Sequence, residues 1–483
     1  MDARTDAPAA PAGQADLRAL WAQDPLETSI FVGLLAGLSW APFWLGGDRP
    51  IAWGVNGLLF PALAVAYELA LLARGRRHPV GARRLALPIG LFVLVALWIL
   101  TQMSSSAPPA IVHPIWAMAS DVLGRPLEGA ISVDPGATAL AFLRLLTDAS
   151  ALWLSIQLCR NPQRAYLLLR WIGATVAAYS LYGILLTAFY GGAIPLFDVA
   201  AGGGPVRATF VNRNNFATYA GLGLIAIVGL ILRLYRHDAP DAAGLSSYRL
   251  TRLIEATGRR GWLLLGSGFV ILAALLGSVS RGGILASALG LFALILLSVS
   301  RQRRRRGEQI EAIVFVTLAV VACFAMFGDL IVGRIASVGL DDVSRLAVYQ
   351  IVARAILDAP LLGFGYGAFA DVFPMYRDNS IGNVGVWDMA HNSYLETWLG
   401  LGLVAGTLLM AALGALVAQC FVGAIKRRRD ATPAIVASAC ALVVGVHALV
   451  DFSLQIEAVT LTFMGLLGAG VAESASSRTQ ISD

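Results

Sequence analysis

The sequence predicts an all-α fold, a polytopic transmembrane helical bundle of about twelve spans with one large outward loop containing amphipathic helices. Three observations predict it. Of the 483 residues, 57% are hydrophobic and 14% charged, and the mean hydropathy of +0.71 is far above that of a soluble domain. Apolar runs long enough to cross a hydrocarbon layer of roughly 30 Å recur along the chain. Arginine clusters alternate with polar segments nearly free of them, as membrane insertion requires.

In chain order, residues 1–28 are rich in Ala, Pro and Asp and lack a basic lead into a cleavable apolar core. They read as a cytosolic disordered tail and not a signal peptide. Spans are expected at 29–45, 51–73, 85–103, 138–159, 165–190, 214–232, 262–279, 284–300 and 310–333, grouped as helices one to nine over 29–333. A polar loop covers 334–390, three further spans fall at 391–425, 432–450 and 457–473, and a second cytosolic tail occupies 474–483. One alternate set of loops holds Arg74/Arg76/Arg77/Arg83/Arg84, Arg160/Arg164, the arginines from Arg233 to Arg260, the Arg301–Arg306 run and Lys426 to Arg429. That set is cytosolic by the positive-inside rule, so both termini lie inside and the 334–390 loop faces outward. The 104–137 segment carries many prolines and interfacial aromatics, and is expected to be an outer loop with no regular helix. The net charge of +6 follows from these loop clusters, which argues against a nucleic-acid surface. Cys159, Cys323, Cys420 and Cys440 all fall inside expected spans with no CxxC spacing, so neither disulfides nor a thiolate metal site is implied.

Arginine in an outward loop runs against this bias. Arg207 and Arg213 flank Ala208-Thr209-Phe210-Val211-Asn212, Arg281 sits in the Ser280-Arg281-Gly282-Gly283 turn, and Arg345 lies in the large loop. Guanidinium forks at that face suit phosphate oxygens; snorkelling to lipid headgroups is the alternative for any one of them. Asp341-Asp342 can cap a helix to Asp358, with Gln350, Arg354 and Asp358 on its polar face and Arg354–Asp358 as an i,i+4 pair. Arg345 then lies in the apolar arc of Val348, Tyr349, Val352 and Ile356 and must find a partner, structural or ligand. Gly363-Phe364-Gly365-Tyr366-Gly367 lacks the strand of a nucleotide loop and reads as a flexible turn.

His391 stands at an expected helix entrance, with Asp388 as a candidate N-cap and Tyr394, Leu395 and Trp398 on the same face. An imidazole there can take a proton from an attacking hydroxyl, or simply be a satisfied polar helix start. His447 and Asp451, four apart, read as a structural polar pair. No HExxH, DxD or Cys/His ligand spacing is present, so no dedicated metal cage is expected.

The run from Arg207 to Asn215, the Ser280–Gly283 turn, Arg345 followed by 360–369, the His391–Leu395 start and the His447–Phe452 segment together resemble the O-antigen ligase and Wzy-type polysaccharide polymerase superfamily over about residues 205 to 470. The resemblance implies a GT-C-like glycosyltransferase of the bacterial inner membrane with its site facing the periplasm. It implies no cofactor and no metal, the donor being a glycan on undecaprenyl pyrophosphate. Arg281, with Arg213 or Arg207, would hold the pyrophosphate, with Arg345 a further candidate. His391 would activate the acceptor hydroxyl, supported by Asn392, Tyr366, Asp388, His447 and Asp451. Implied partners are an acceptor glycan or lipid A-core, membrane lipids and a chain-length regulator. The segments His113-Pro-Ile-Trp116 and Ile131-Ser-Val-Asp-Pro135 look more like exopolysaccharide polymerases than ligases. A transporter of the same lipid class would require ionisable residues near the midplane and inverted repeats, and neither stands out; a non-catalytic scaffold is the remaining alternative.

Overall fold

The computed structural model describes residues 17–197, 199, 204–238, 247–300, 339–381, 386–427 and 430–474. The expected span at 310–333, Cys323 and the Arg301–Arg306 run lie outside the described residues. Fifteen α-helices are numbered here in chain order: α1 Leu17–Gln23, α2 Pro25–Trp40, α3 Pro50–Ala73, α4 Ala86–Met103, α5 Ile115–Leu123, α6 Pro135–Leu158, α7 Pro162–Tyr190, α8 Arg213–Asp238, α9 Ser247–Gly277, α10 Arg281–Ser300, α11 Gly339–Asp358, α12 Phe369–Tyr376, α13 Ser393–Lys426, α14 Thr432–His447 and α15 Glu457–Ser474. No named strand occurs among the described residues; Ile194 and Val199 form an isolated bridge.

Seven of these helical stretches are long and apolar enough to cross a membrane, and Pro25–Trp40, Gly261–Gly277 and Thr432–His447 are shorter apolar helices. Every expected span except 310–333 therefore coincides with a helix, whereas length and composition qualify fewer of them as crossings.

Local chemistry sets the helix starts. Three begin with the same device, an Asp or Asn cap followed by proline: Asp24 accepts from Glu27 N, Asp134 from Ala137 N and Asn161 from Gln163 N. The cap satisfies an orphan amide, and proline at the first helical position gives up only an N–H that had no partner. The same tolerance corrects the reading of 104–137. Pro108, Pro109 and Pro114 precede a regular helix, α5, with Pro114 at the N-cap and Met118, Val122 and Leu123 exposed along it.

The core is built around α15, nearly all of whose residues are buried, and α8, 83% buried over its apolar window. α15 packs on α6, α13 and α14, and α8 on α7, α9, α10 and α14. At the periphery, α3 and α4 bury only 22% and 28% of their windows and display Leu58, Leu72 and Leu87 outward, as helices facing lipid do.

The glycine run 363–367 is no flexible turn. Gly363, Gly365 and Gly367 all adopt positive φ, and a Cβ on Gly363 would strike the Gly400 carbonyl and one on Gly365 the Ser132 side chain. Phe364 N and Gly365 N donate to Leu399 O and Gly400 O, and Gln102 Nε2 donates to Leu362 O and Gly400 O at 2.8 Å each. The loop is thereby clamped into a break in α13, where Gly402 has φ +79°. Glycine is required because two backbones approach within van der Waals contact there.

Candidate active site at one end of the bundle

The N-termini of α8, α10, α13 and α15 and the C-terminus of α14 meet at one end. Asn212 caps α8 by accepting from Asn214 N at 2.8 Å, and Ser280 caps α10 by accepting from Gly283 N at 3.3 Å. Ser280 Oγ also donates to Asn214 Oδ1 at 2.8 Å. Arg213 and Arg281 thus stand in sequence immediately beside the two ends of a single hydrogen bond that joins their helices. Arg207 lies apart, with Nε and Nη2 on the Gly192 carbonyl at 3.3 and 3.0 Å. Among the described residues, Arg281 and Arg345 engage no carboxylate.

His391 is not on a helix. It has φ +52°, and α13 starts at Ser393 with Asn392 as N-cap, accepting from Tyr394 N and Leu395 N at 3.1 Å each. This corrects the expectation that Asp388 caps the helix and that Tyr394, Leu395 and Trp398 share a face with His391. An Asn next to the helix start reaches two amides at once, and the left-handed residue before it turns the imidazole away from the helix. The turn is held by Tyr349 Oη to His391 O at 2.8 Å, Asn392 Nδ2 to Leu449 O at 3.0 Å and Ser393 N to Ala448 O at 2.9 Å.

The His391 ring rests edge-on to Phe452 and Trp387, with centroids 4.8 and 5.6 Å away. Its Nδ1 lies 3.7 Å from Asp451 Oδ1, the imidazole side chain being 22% exposed and the carboxylate fully buried. Neither atom has a hydrogen-bond partner. The buried carboxylate occupies the Nδ1 side, so Nε2 is the nitrogen left to meet a substrate. Burial pushes the Asp451 carboxyl up, but the His391 and His447 imidazoles and the Ser453 hydroxyl outweigh it and hold the group below the usual carboxylate range.

His447, 2% exposed, is a hub. Its Nδ1 meets Thr218 Oγ1 at 2.5 Å and lies 3.9 Å from Asp451 Oδ2, while Ser453 Oγ bonds both Asp451 Oδ2 at 2.7 Å and Asn215 Oδ1 at 3.1 Å. On the other side of the ring, a Cβ at Gly282 would come 3.0 Å from Nε2. The Arg281-Gly282 turn, His447, Asp451 and His391 therefore form one continuous chain of contacts at the same end of the bundle. Arg345 belongs to the same neighbourhood: its charge acts on His447, and Tyr349, one turn along α11, holds the His391 carbonyl.

Strain gathers here too. Ala208, Val279 and His391 are non-glycine residues at φ +48°, +52° and +52°, each beside one of the arginine or histidine elements. Such backbone costs roughly 1–3 kcal/mol per residue and persists where surrounding contacts over-determine it, a pattern concentrated at active sites.

Other expectations need adjustment. α11 begins at Gly339, so Asp341-Asp342 lie within it and not at its cap. Arg354 pairs with Asp378 and not with Asp358. Tyr366 is in the clamped glycine loop and lines a large cleft together with Asp388. The residues that sequence reading passed over are Arg144 and Asp148, four apart inside α6, and Glu396 in the first turn of α13. All three line that same cleft. The signal was available: an i,i+4 charge pair inside an apolar span is rare and marks a functional interior.

The fold and site define an all-helical bundle with several membrane-length helices and one polar, strained end. Residues 266–410 match the family model described as O-antigen ligase, and the match supports membership of the O-antigen ligase/Wzy-type superfamily. It includes Arg281, Arg345 and His391; Arg207, Arg213, His447 and Asp451 lie outside it. No curated protein matches the chain.

Proposed function

We propose that the chain is a glycosyltransferase at the periplasmic face of the bacterial inner membrane, moving a glycan from undecaprenyl pyrophosphate to a sugar hydroxyl of an acceptor. The observation that carries this reading is the His391–Asp451 contact at 3.7 Å, built against the arginine-bearing turn of α10.

In this reading the acceptor oxygen attacks the anomeric carbon while His391 Nε2 takes its proton, and the bond from that carbon to the pyrophosphate oxygen breaks. Buried, ionised Asp451 stabilises the imidazolium that forms and orients the ring, as a carboxylate does in other acid–base dyads. The leaving pyrophosphate gathers negative charge. Arg281 and Arg213, at the N-termini of two helices whose dipoles favour anions, are placed to receive it, with Arg345 beside His447. Arg207, committed to the Gly192 carbonyl, is the weaker candidate. Attack opposite the leaving group inverts the anomeric centre, and guanidinium groups supply the electrostatic role without a metal.

The acceptor separates two versions. Polymerisation is favoured by the likeness of the His113–Trp116 and Ile131–Pro135 segments to exopolysaccharide polymerases; both segments pack on the clamped glycine loop, through Val133 N to Phe364 O at 3.0 Å and the His113–Phe364 ring contact. Ligation to lipid A-core is favoured by the description of the matching family model. In vesicles supplied with lipid-linked glycan, His391→Ala is expected to reduce transfer by roughly 10²- to 10⁴-fold while leaving the protein folded. Undiminished transfer removes His391 from the chemistry, and product analysis shows whether glycan grows on the carrier or moves to lipid A.

A further inference from the structure

Consecutive residues after α14 serve the His391 turn in different ways. Asp451 directs a carboxylate oxygen at it, Phe452 lays its ring edge-on to the imidazole at 4.8 Å, and Ser453, 2% exposed, engages α8. Asp451 uses its two oxygens unequally. Oδ2 accepts from Ser453 Oγ at 2.7 Å, whereas Oδ1 has no hydrogen-bond partner and stands 3.7 Å from His391 Nδ1, beyond hydrogen-bond length. The two oxygens of an ionised carboxyl are chemically equivalent, so a fixed contact on one decides where the other faces.

Ser453 is itself held from α8. Asn215 Oδ1 lies 3.1 Å and Thr218 Oγ1 2.9 Å from its hydroxyl oxygen, and these two α8 residues, at positions i and i+3, share one face of the helix. His447 Nδ1 closes the group, 2.5 Å from Thr218 Oγ1 and 3.2 Å from Ser453 Oγ. The serine hydroxyl has a single hydrogen, and the ionised carboxylate is its strongest acceptor here. Thr218, donating to Ser453 Oγ, fills one lone pair of that oxygen and so helps to aim the serine hydrogen at Asp451. Arg213 opens the same helix. One element therefore carries a proposed pyrophosphate arginine and, within its first turns, the anchor of the carboxylate.

We propose that Ser453 is a positioning residue for transfer: backed by Thr218 of α8, it pins Asp451 Oδ2 so that Oδ1 alone is presented to His391 Nδ1, which keeps Nε2 toward the acceptor oxygen. It touches no substrate and moves no proton. Released from this contact, the buried carboxylate is free to rotate about its Cβ–Cγ bond and to turn Oδ1 away from His391. The imidazolium formed during transfer then loses part of the charge that stabilises it. This role rests on the transferase reading and on the His391–Asp451 dyad within it. Asn215 and Ser453 are 238 positions apart in the chain, and the packing of α8 against the 451–453 turn is what brings them together.

The test is a double-mutant cycle on the full chain in nanodiscs, read as transfer from lipid-linked glycan. Ser453→Ala is expected to lower kcat about tenfold, the effect of one hydrogen bond to a buried charge, with the donor KM changing less than about twofold. In an Asp451→Asn background the same substitution is expected to change kcat less than about twofold, because the charge it orients is already absent. A serine that only supports packing gives the same factor in both backgrounds. Thr218→Val, which keeps the side-chain shape and removes the hydroxyl behind Ser453, is expected to cost about threefold, again only where Asp451 is present. It reads the same arrangement if Ser453→Ala folds poorly. Ser453→Cys, with a weaker donor in the same place, is expected to fall between serine and alanine. Unchanged kcat in both Ser453→Ala and Thr218→Val, or equal losses with and without Asp451, overturns the proposal and leaves the transferase reading standing. Undiminished transfer by His391→Ala instead removes the dyad from the chemistry, and this role with it.

Discussion

The two sides of the His391 turn are built differently. On one side the starts of α8 and α10 present Arg213 and Arg281, with Arg345 of α11 nearby, and the Asn214–Ser280 bond at 2.8 Å holds the two helix ends together. On the other, Arg144, Asp148, Glu396 and Glu457 line a mostly apolar cleft. The first side offers helix dipoles and guanidinium groups to an anion; the second offers unpaired carboxylate and amide oxygens to hydroxyl groups. The difference teaches how a single turn can stand between a joint of two arginine-bearing helix starts and a mostly apolar cleft.

The sharpest way to break this division is to remove the basic side. Arg281→Ala is expected to lower kcat by on the order of 10²- to 10³-fold, with lysine restoring little because a compact ammonium cannot reproduce the guanidinium fork. Steady-state transfer with varied lipid-linked donor checks it. Next in size, Asp451→Asn is expected to cost roughly 10- to 100-fold in kcat, less than loss of the imidazole itself; equal turnover would show that the buried carboxylate orients nothing. On the cleft side, Asp148→Asn is expected to change kcat much less than Arg281→Ala does. If Asp148→Asn lowered kcat as far as Arg281→Ala, the comparison would fail.

A fourth measurement follows from Asp451. Its folded-state pKa lies below the ordinary value, so the contacts that favour its ionised form contribute stability above about pH 4, the unfolded range, and lose it as pH falls through the depressed folded value. Thermal unfolding in detergent from about pH 7 to about pH 3 should show an acid-side decline in the wild type that Asp451→Asn lacks. The smallest effect is expected away from both sides. Arg354 and Asp378 are 62% and 39% exposed; bonds from Ser380 and Arg354 hold the Asp378 carboxyl down at about 2. An exposed pair of this sort contributes little, so Arg354→Ala should leave kcat and the unfolding temperature within experimental error.

Much of the bundle was legible in the chain because a helix entering lipid must be apolar along its whole length and close its own backbone hydrogen bonds. Every expected span within the described residues has its helix, and Arg281 and His391 declared themselves by being polar where the pattern was apolar. Short-range chemistry was less reliable. Asp388 looked like a cap until Asn392, nearer the helix start, took the amides, and the glycines at 363–367 looked mobile until α13 closed over them.

The sequence by itself determined the helical class, the succession of apolar segments and the outlying arginines and histidine, since these depend on composition and spacing along a single chain. Only the tertiary structure decided that Asp451 faces His391, that Arg213 and Arg281 share a joint while Arg207 does not, and that Arg144, Asp148 and Glu457 look into one cleft. Those relations join residues from about 60 to more than 300 positions apart, and partners at such separations are chosen by how helices pack, which periodicity along the chain does not encode.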